Sequence, residues 1–311
     1  MNKIYILLFS FFGILASCKD DTTSKEQALQ SESISEAQKE IPKKQAFSPS
    51  QEFKDYWYAG EAEITSYKLE QARYGELRDG TAVLVFVTED FLPQKQVKAD
   101  SYSENNIPVL KLNATKNFNT GIYPYSIMQS TFYPVSNNQH ALKVSCSVQE
   151  WCGHVYAQLN NRDQFEINSH SYFEGEADQD FKLDKAILEN ELWTQLRVDP
   201  KSLPVGDFKA IPSLEFLRLK HLETKAYNAK AINKNGQYII NYHKIDRRLT
   251  INYNPEFPFE ITSWEETYKD DYGENSKKLT TKATKLETLK SAYWSKNSNA
   301  DESLRETLKL N

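Results

Sequence analysis

From Gln51 to the C-terminus the chain alternates apolar and polar residues with period two. That alternation is the mark of half-buried strands, and repeated this often it forces a mainly β body. Thr81–Thr88 is a compact apolar run after an expected Asp79-Gly80 turn, and it is expected to pair with residues 61–73. Tyr125–Val135 reads as another extended stretch. Residues 141–148, 153–159 and 164–173 read as a three-strand meander. Asn235-Gly236 is a two-residue hairpin signal between residues 225–233 and 237–244. Residues 249–253, 259–268 and 277–289 continue the pattern. One helix interrupts it, expected over 184–197 with Asp184 as N-cap and Leu188, Leu192 and Leu196 on one face. A short terminal helix is expected over 301–310. The fold class is therefore a large antiparallel sheet assembly, a curved half-barrel or sandwich, with one packed helix. Beyond residue 50 the chain approaches the size limit for a single core. Two regions, 51–203 and 204–311, are expected, as one domain or two.

The N-terminus has a different character. Lys3 precedes an apolar run from Ile4 to Leu15, too short to span a bilayer comfortably. A charged start, a short apolar stretch and small residues form a secretory signal over 1–17. Leu15-Ala16-Ser17-Cys18 resembles the lipobox of bacterial lipoproteins. The resemblance implies cleavage before Cys18 and acylation of that residue. Several acyl chains would hold the protein at the membrane, since one chain alone binds marginally. Lys19-Asp20-Asp21 favours the outer membrane, facing the periplasm or displayed on the surface. Residues 18–50, rich in Ser, Gln, Glu and Lys, are expected to be a lipidated flexible tether, because they offer little apolar surface to offset ordering. A coil of about 30 residues has an end-to-end distance of roughly 30 Å.

Charge narrows the partners. With 38 Lys+Arg and 43 Asp+Glu the net charge is −5, which argues against nucleic acid. Cys146 and Cys152 remain once Cys18 is set aside. An exported chain usually pairs such cysteines, and a hairpin centred on Gln149 would place them opposite each other, so a disulfide is expected. Trp151-Cys152-Gly153-His154 looks like part of a thiol-oxidoreductase site but lacks that chemistry's second cysteine. Glu174, Glu176, Asp178 and Asp180 alternate on a connection and are weak candidates for a hard cation; a solvated acidic loop is the plainer reading. Tyr56, Trp57 and Tyr58 form one aromatic cluster, and Tyr123 and Tyr125 belong to a second. These are weak candidates for stacking on sugars, against the plainer reading that they line strands. No HExxH, GxSxG, phosphate loop or dinucleotide fingerprint occurs, so no catalytic residue and no cofactor is assigned.

Residues 53–60 (FKDYWYAG), 121–130 (GIYPYSIMQS) and 149–158 (QEWCGHVYAQ) together resemble a family of Gram-negative lipoproteins often labelled "septum formation inhibitor Maf". The resemblance covers nearly the whole body, and the label implies a nucleotide pyrophosphatase. The Ser-Pro-Arg-Arg pattern of that enzyme is absent; the nearest match is Ser48-Pro49-Ser50. No residue is carried over. The sequence thus points to a non-catalytic, outer-membrane-anchored lipoprotein that binds or supports an envelope partner. A surface glycan binder is the alternative, and a hydrolase, including the Maf-like one, comes third.

Overall fold

The structure is a computed structural model that describes residues 47–136, 139–270 and 276–310. The expected signal segment, Cys18 and most of the tether lie outside the described residues.

A short helix, α1 (Gln51–Trp57), opens the body; Ser50 Oγ accepts the Phe53 N–H and caps it. Strands β1 (Ala62–Arg73), β2 (Glu76–Leu92), β3 (Val97–Lys98), β4 (Ile107–Thr120), β5 (Tyr123–Pro134), β6 (Lys143–Glu150), β7 (Gly153–Asn161), β8 (Phe165–Ser171) and β9 (Gln179–Leu183) follow. After β10 (Ile187–Leu188) come helix α2 (Glu189–Val198), β11 (Gly206–Ile211) and helix α3 (Leu214–Leu219). Strands β12 (Tyr227–Lys234), β13 (Gln237–Tyr242), β14 (Arg247–Tyr253), β15 (Ile261–Lys269) and β16 (Lys278–Ser291) lead to α4 (Ser303–Thr307).

All the strands among the described residues belong to one sheet. It runs β10-β11-β12-β13-β14-β15-β16-β1-β2-β4-β5-β6-β7-β8-β9, with β3 on β2. Every pairing is antiparallel except β10 with β11. The chain starts mid-sheet, winds to the β9 edge, crosses to the β10 edge and winds back until β16 closes on β1, with Ala62 opposite Ser291. Both regions expected from sequence therefore share one sheet. The two edges are consecutive in the chain. Residues 184–186 join them, so they stand at most about 14 Å apart there. The sheet must curve almost into a barrel, yet it stays open.

One face of the long strands supplies the core: Tyr67 and Leu69, Leu84 and Phe86, Leu110 and Leu112, Val144 and Cys146, Ile240, Leu249 and Trp264 are all buried. Leu192 and Leu196 of α2 and Leu214 and Leu217 of α3 join the same cluster. On the opposite face, Leu308 near α4 covers Ala62, Ile64 and Val87.

Two local expectations change. Asp79-Gly80 does not turn; both sit inside β2, and the turn is Tyr74-Gly75. Gly80 instead permits close approach, since a Cβ there would stand 2.3 Å from the Asn117 carbonyl oxygen. The main helix starts at Glu189, not Asp184, because Ile187 and Leu188 are claimed by β11. Glu191 accepts the Leu188 N–H at 3.1 Å and sets the new start. No helix among the described residues is long and apolar enough to cross a membrane.

Candidate functional site

The concave interior carries charge. Arg197 of α2 grips Glu63 of β1 through both terminal guanidinium nitrogens at 2.6 and 2.7 Å, with both side chains about 1% exposed. Burial alone would raise the Glu63 carboxyl, but Arg197, helped by the Tyr56 hydroxyl and Lys290, holds it below the ordinary range. Arg247 pairs with Glu189 and with Glu266 at 2.8 Å, its guanidinium over the Phe216 ring. Lys116 meets Glu215 at 2.7 Å; burial, the larger influence, still pushes the Glu215 carboxyl up. Lys116, Glu189, Glu215, Arg247 and Glu266, with Trp193 and Trp264, line a cavity of about 40 Å³. That is room for two or three waters. The charges lining this cavity are paired, and the cavity itself is too small for an acyl chain or a sugar.

Space of ligand size lies between α3 and strands β7–β9. There a groove of about 470 Å³ is walled by Val155, Ala157, Phe181, Leu183, Leu217 and Leu222. Its polar lining converges at one place. Glu176 holds His221 Nδ1 at 2.6 Å and Arg218 Nη1 at 3.3 Å through one oxygen, and its other oxygen accepts Ser171 Oγ–H at 2.7 Å. Arg218 also lies over the Phe173 ring, 4.2 Å from its centre. Apolar walls with a few fixed polar groups are the ordinary make-up of a small-molecule site. The sequence reading missed this site because it passed over α3. The signal was present: Pro212-Ser213 supplies an N-cap, with Ser213 Oγ accepting the Phe216 N–H, ahead of Leu214 and Leu217.

The aromatic clusters are separated by burial. Trp57 is core, beside the Arg197 guanidinium; Tyr56 is half-buried and bonded to Glu63; Tyr58 alone of the three is exposed. Tyr125 is buried and stacked on Phe118 with centres 5.0 Å apart. Tyr123 reaches the surface, 6.4 Å from the exposed Trp151.

The cysteine expectation is corrected. The β6–β7 turn is Trp151-Cys152, not Gln149, so Glu150 faces Gly153 and Cys146 faces Ala157. Cys146 is buried in the concave core, Cys152 is exposed on the turn, and both are free. The turn forms here because the Glu150 carboxylate accepts the Cys152 N–H at 2.6 Å. His154 lies opposite Gln149. The acidic connection is likewise dispersed. Glu176 is spent on Ser171, Arg218 and His221, Asp178 faces His170 at 3.3 Å, and Asp180 sits in β9. Among the described residues, Glu174, Glu176, Asp178 and Asp180 do not form a group suited to a metal ion.

No protein-family model matches the sequence, and no curated protein matches it. Among solved structures, the chain is similar to a β-barrel-like protein of a domain of unknown function from Brucella abortus. The identity is 7%, the TM-score is 0.42, and the match covers 74% of this chain and 96% of that one. A porin-like protein from Bacteroides uniformis matches at 9% identity and a TM-score of 0.20, over 72% of this chain and 95% of that one.

Proposed function

We propose that the protein is a non-catalytic envelope lipoprotein, anchored in the outer membrane through Cys18, whose body binds a small, largely apolar ligand carrying a polar end. The groove between α3 and β7–β9 carries this reading. Its volume of about 470 Å³ falls within the range of ligand sites, and Glu176, His221 and Arg218 would orient the polar end. The small size of the interior cavity supports a ligand held in the groove over one threaded through the interior.

Two measurements test it. Radiolabelled palmitate should enter the wild-type protein in cells and not Cys18→Ala; an unlabelled wild type overturns the anchor. N-phenyl-1-naphthylamine should bind residues 44–311, which form one compact unit, at one saturable site. Leu217→Trp, which fills the groove, should abolish that binding; unchanged binding overturns the groove. Turnover of nucleoside triphosphates, esters or glycosides by the purified protein would replace this reading with the hydrolase.

A further inference from the structure

Four strand ends at one end of the sheet carry aromatic rings, three of them exposed and that of Tyr123 half-buried. Tyr74 lies on the β1–β2 turn and Tyr123 opens β5 after the β4–β5 turn. Trp151 lies on the β6–β7 turn, and Tyr172 directly follows β8. Because β1-β2-β4-β5-β6-β7-β8 are sheet neighbours, these positions fall in sequence along one rim. Tyr74 is 45% exposed, Trp151 69% and Tyr172 49%, and Ile122 beside Tyr123 is 84% exposed.

The rings are held, not splayed. The Tyr74 and Tyr125 hydroxyls meet at 2.8 Å, and Arg73 donates to both at 3.1 Å. Tyr123 lies 6.0 Å from the Tyr125 ring and 6.4 Å from Trp151, its plane only 32° from the indole. Tyr172 folds over Gly153, where the absent Cβ leaves it room, and packs on Phe173 with centres 4.1 Å apart. From β2 to β8 is five strand spacings, so the row runs about 24 Å.

We infer that this row is a carbohydrate-binding platform for an extended glycan chain. A pyranose offers an apolar C–H face to a ring and hydroxyls to polar tips, and Tyr and Trp supply both kinds of surface. The row is one ring wide and several sugar units long. A protein partner would need a broad patch on the order of 800 Å² per side, which a single file of turn tips does not provide. None of these four rings lines the groove, although Phe173 lies between Tyr172 and the groove's Arg218. The row also differs from the cluster at Tyr56, Trp57 and Tyr58, where Trp57 is buried, Tyr56 is half-buried and Tyr58 alone is exposed.

The test uses the full chain in a sugar-free detergent and follows tryptophan fluorescence during titration with maltohexaose, xylohexaose, cellohexaose and chitohexaose. At least one should bind saturably. Trp151→Ala should weaken its association about two- to tenfold, the scale of one lost aromatic contact. Its binding is read by calorimetry, because the reporting indole is gone. Tyr172→Ala should weaken it in the same direction. Trp294→Ala, which removes an exposed indole at the opposite end of the strands, should leave it unchanged. Circular dichroism matching the wild type checks that each variant is folded. Failure of all four sugars to bind overturns the inference, as does a Trp151→Ala variant that binds like the wild type. A protein that co-purifies with the wild type but not with Trp151→Ala, with no sugar response, reassigns the row to a protein interface.

Discussion

Tyr172 lies so close over Gly153 that an added Cβ would stand 2.2 Å from its Cδ1. Gly153→Ala should therefore drive the ring off the rim while the β6–β7 pairing persists; a crystal structure of the variant with Tyr172 unmoved would contradict this. The neighbouring thiols separate by environment. Burial pushes the Cys146 thiol up, and Cys152 stands exposed on its turn. In folded residues 44–311, Ellman's reagent should titrate Cys152 at once and Cys146 only after denaturant is added. Two protected sulfurs released by reductant alone would restore the disulfide. The sequence suggested that bond because it showed the spacing and not the turn. The register is decided by a single Glu150 carboxylate capping the Cys152 amide, which alternation does not encode.

Helices α2 and α3 carry their weight through charge as well as leucine. Leu192→Ala should cost about 2–5 kcal/mol, since the site is fully enclosed. Arg197→Met should cost about 3–5 kcal/mol, because it strands the Glu63 carboxylate in the core. The double variant Glu63→Leu with Arg197→Met should recover most of that loss, as chemical denaturation would show. The pH dependence follows from the same pair. Glu63 has a folded pKa below its ordinary 4.5, so its contribution is complete above that value and fades as the pH falls through the folded pKa. Wild type should therefore lose more stability between pH 7 and pH 3 than the double variant does. At this scale much was legible. Asn235-Gly236 turns where its chemistry says, with both residues at positive φ, and the leucine face of α2 packs inward as its spacing requires. The buried Glu63, Lys116, Arg247 and Glu266 were not legible, because each charge becomes tolerable only beside a partner far away in the chain.

At the scale of the whole molecule, one open sheet begins in its own middle. Pairing β1 with β16 joins residues from opposite ends of the body, so folding must close its longest loop to complete the sheet. Removing residues from Lys278 onward should expose long edges on β1 and β15 and yield aggregated protein. A soluble, cooperatively unfolding fragment would contradict that. The same closure lets α2 and α3 fill the interior, so that the binding proposed here falls to the groove and the rim. Methyl NMR of residues 44–311 titrated with N-phenyl-1-naphthylamine tests this most directly. The account predicts shifts confined to Val155, Ala157, Leu183, Leu214, Leu217 and Leu222 around the groove. Shifts centred on Leu84, Leu112, Ala114 and Leu249 of the interior would contradict it.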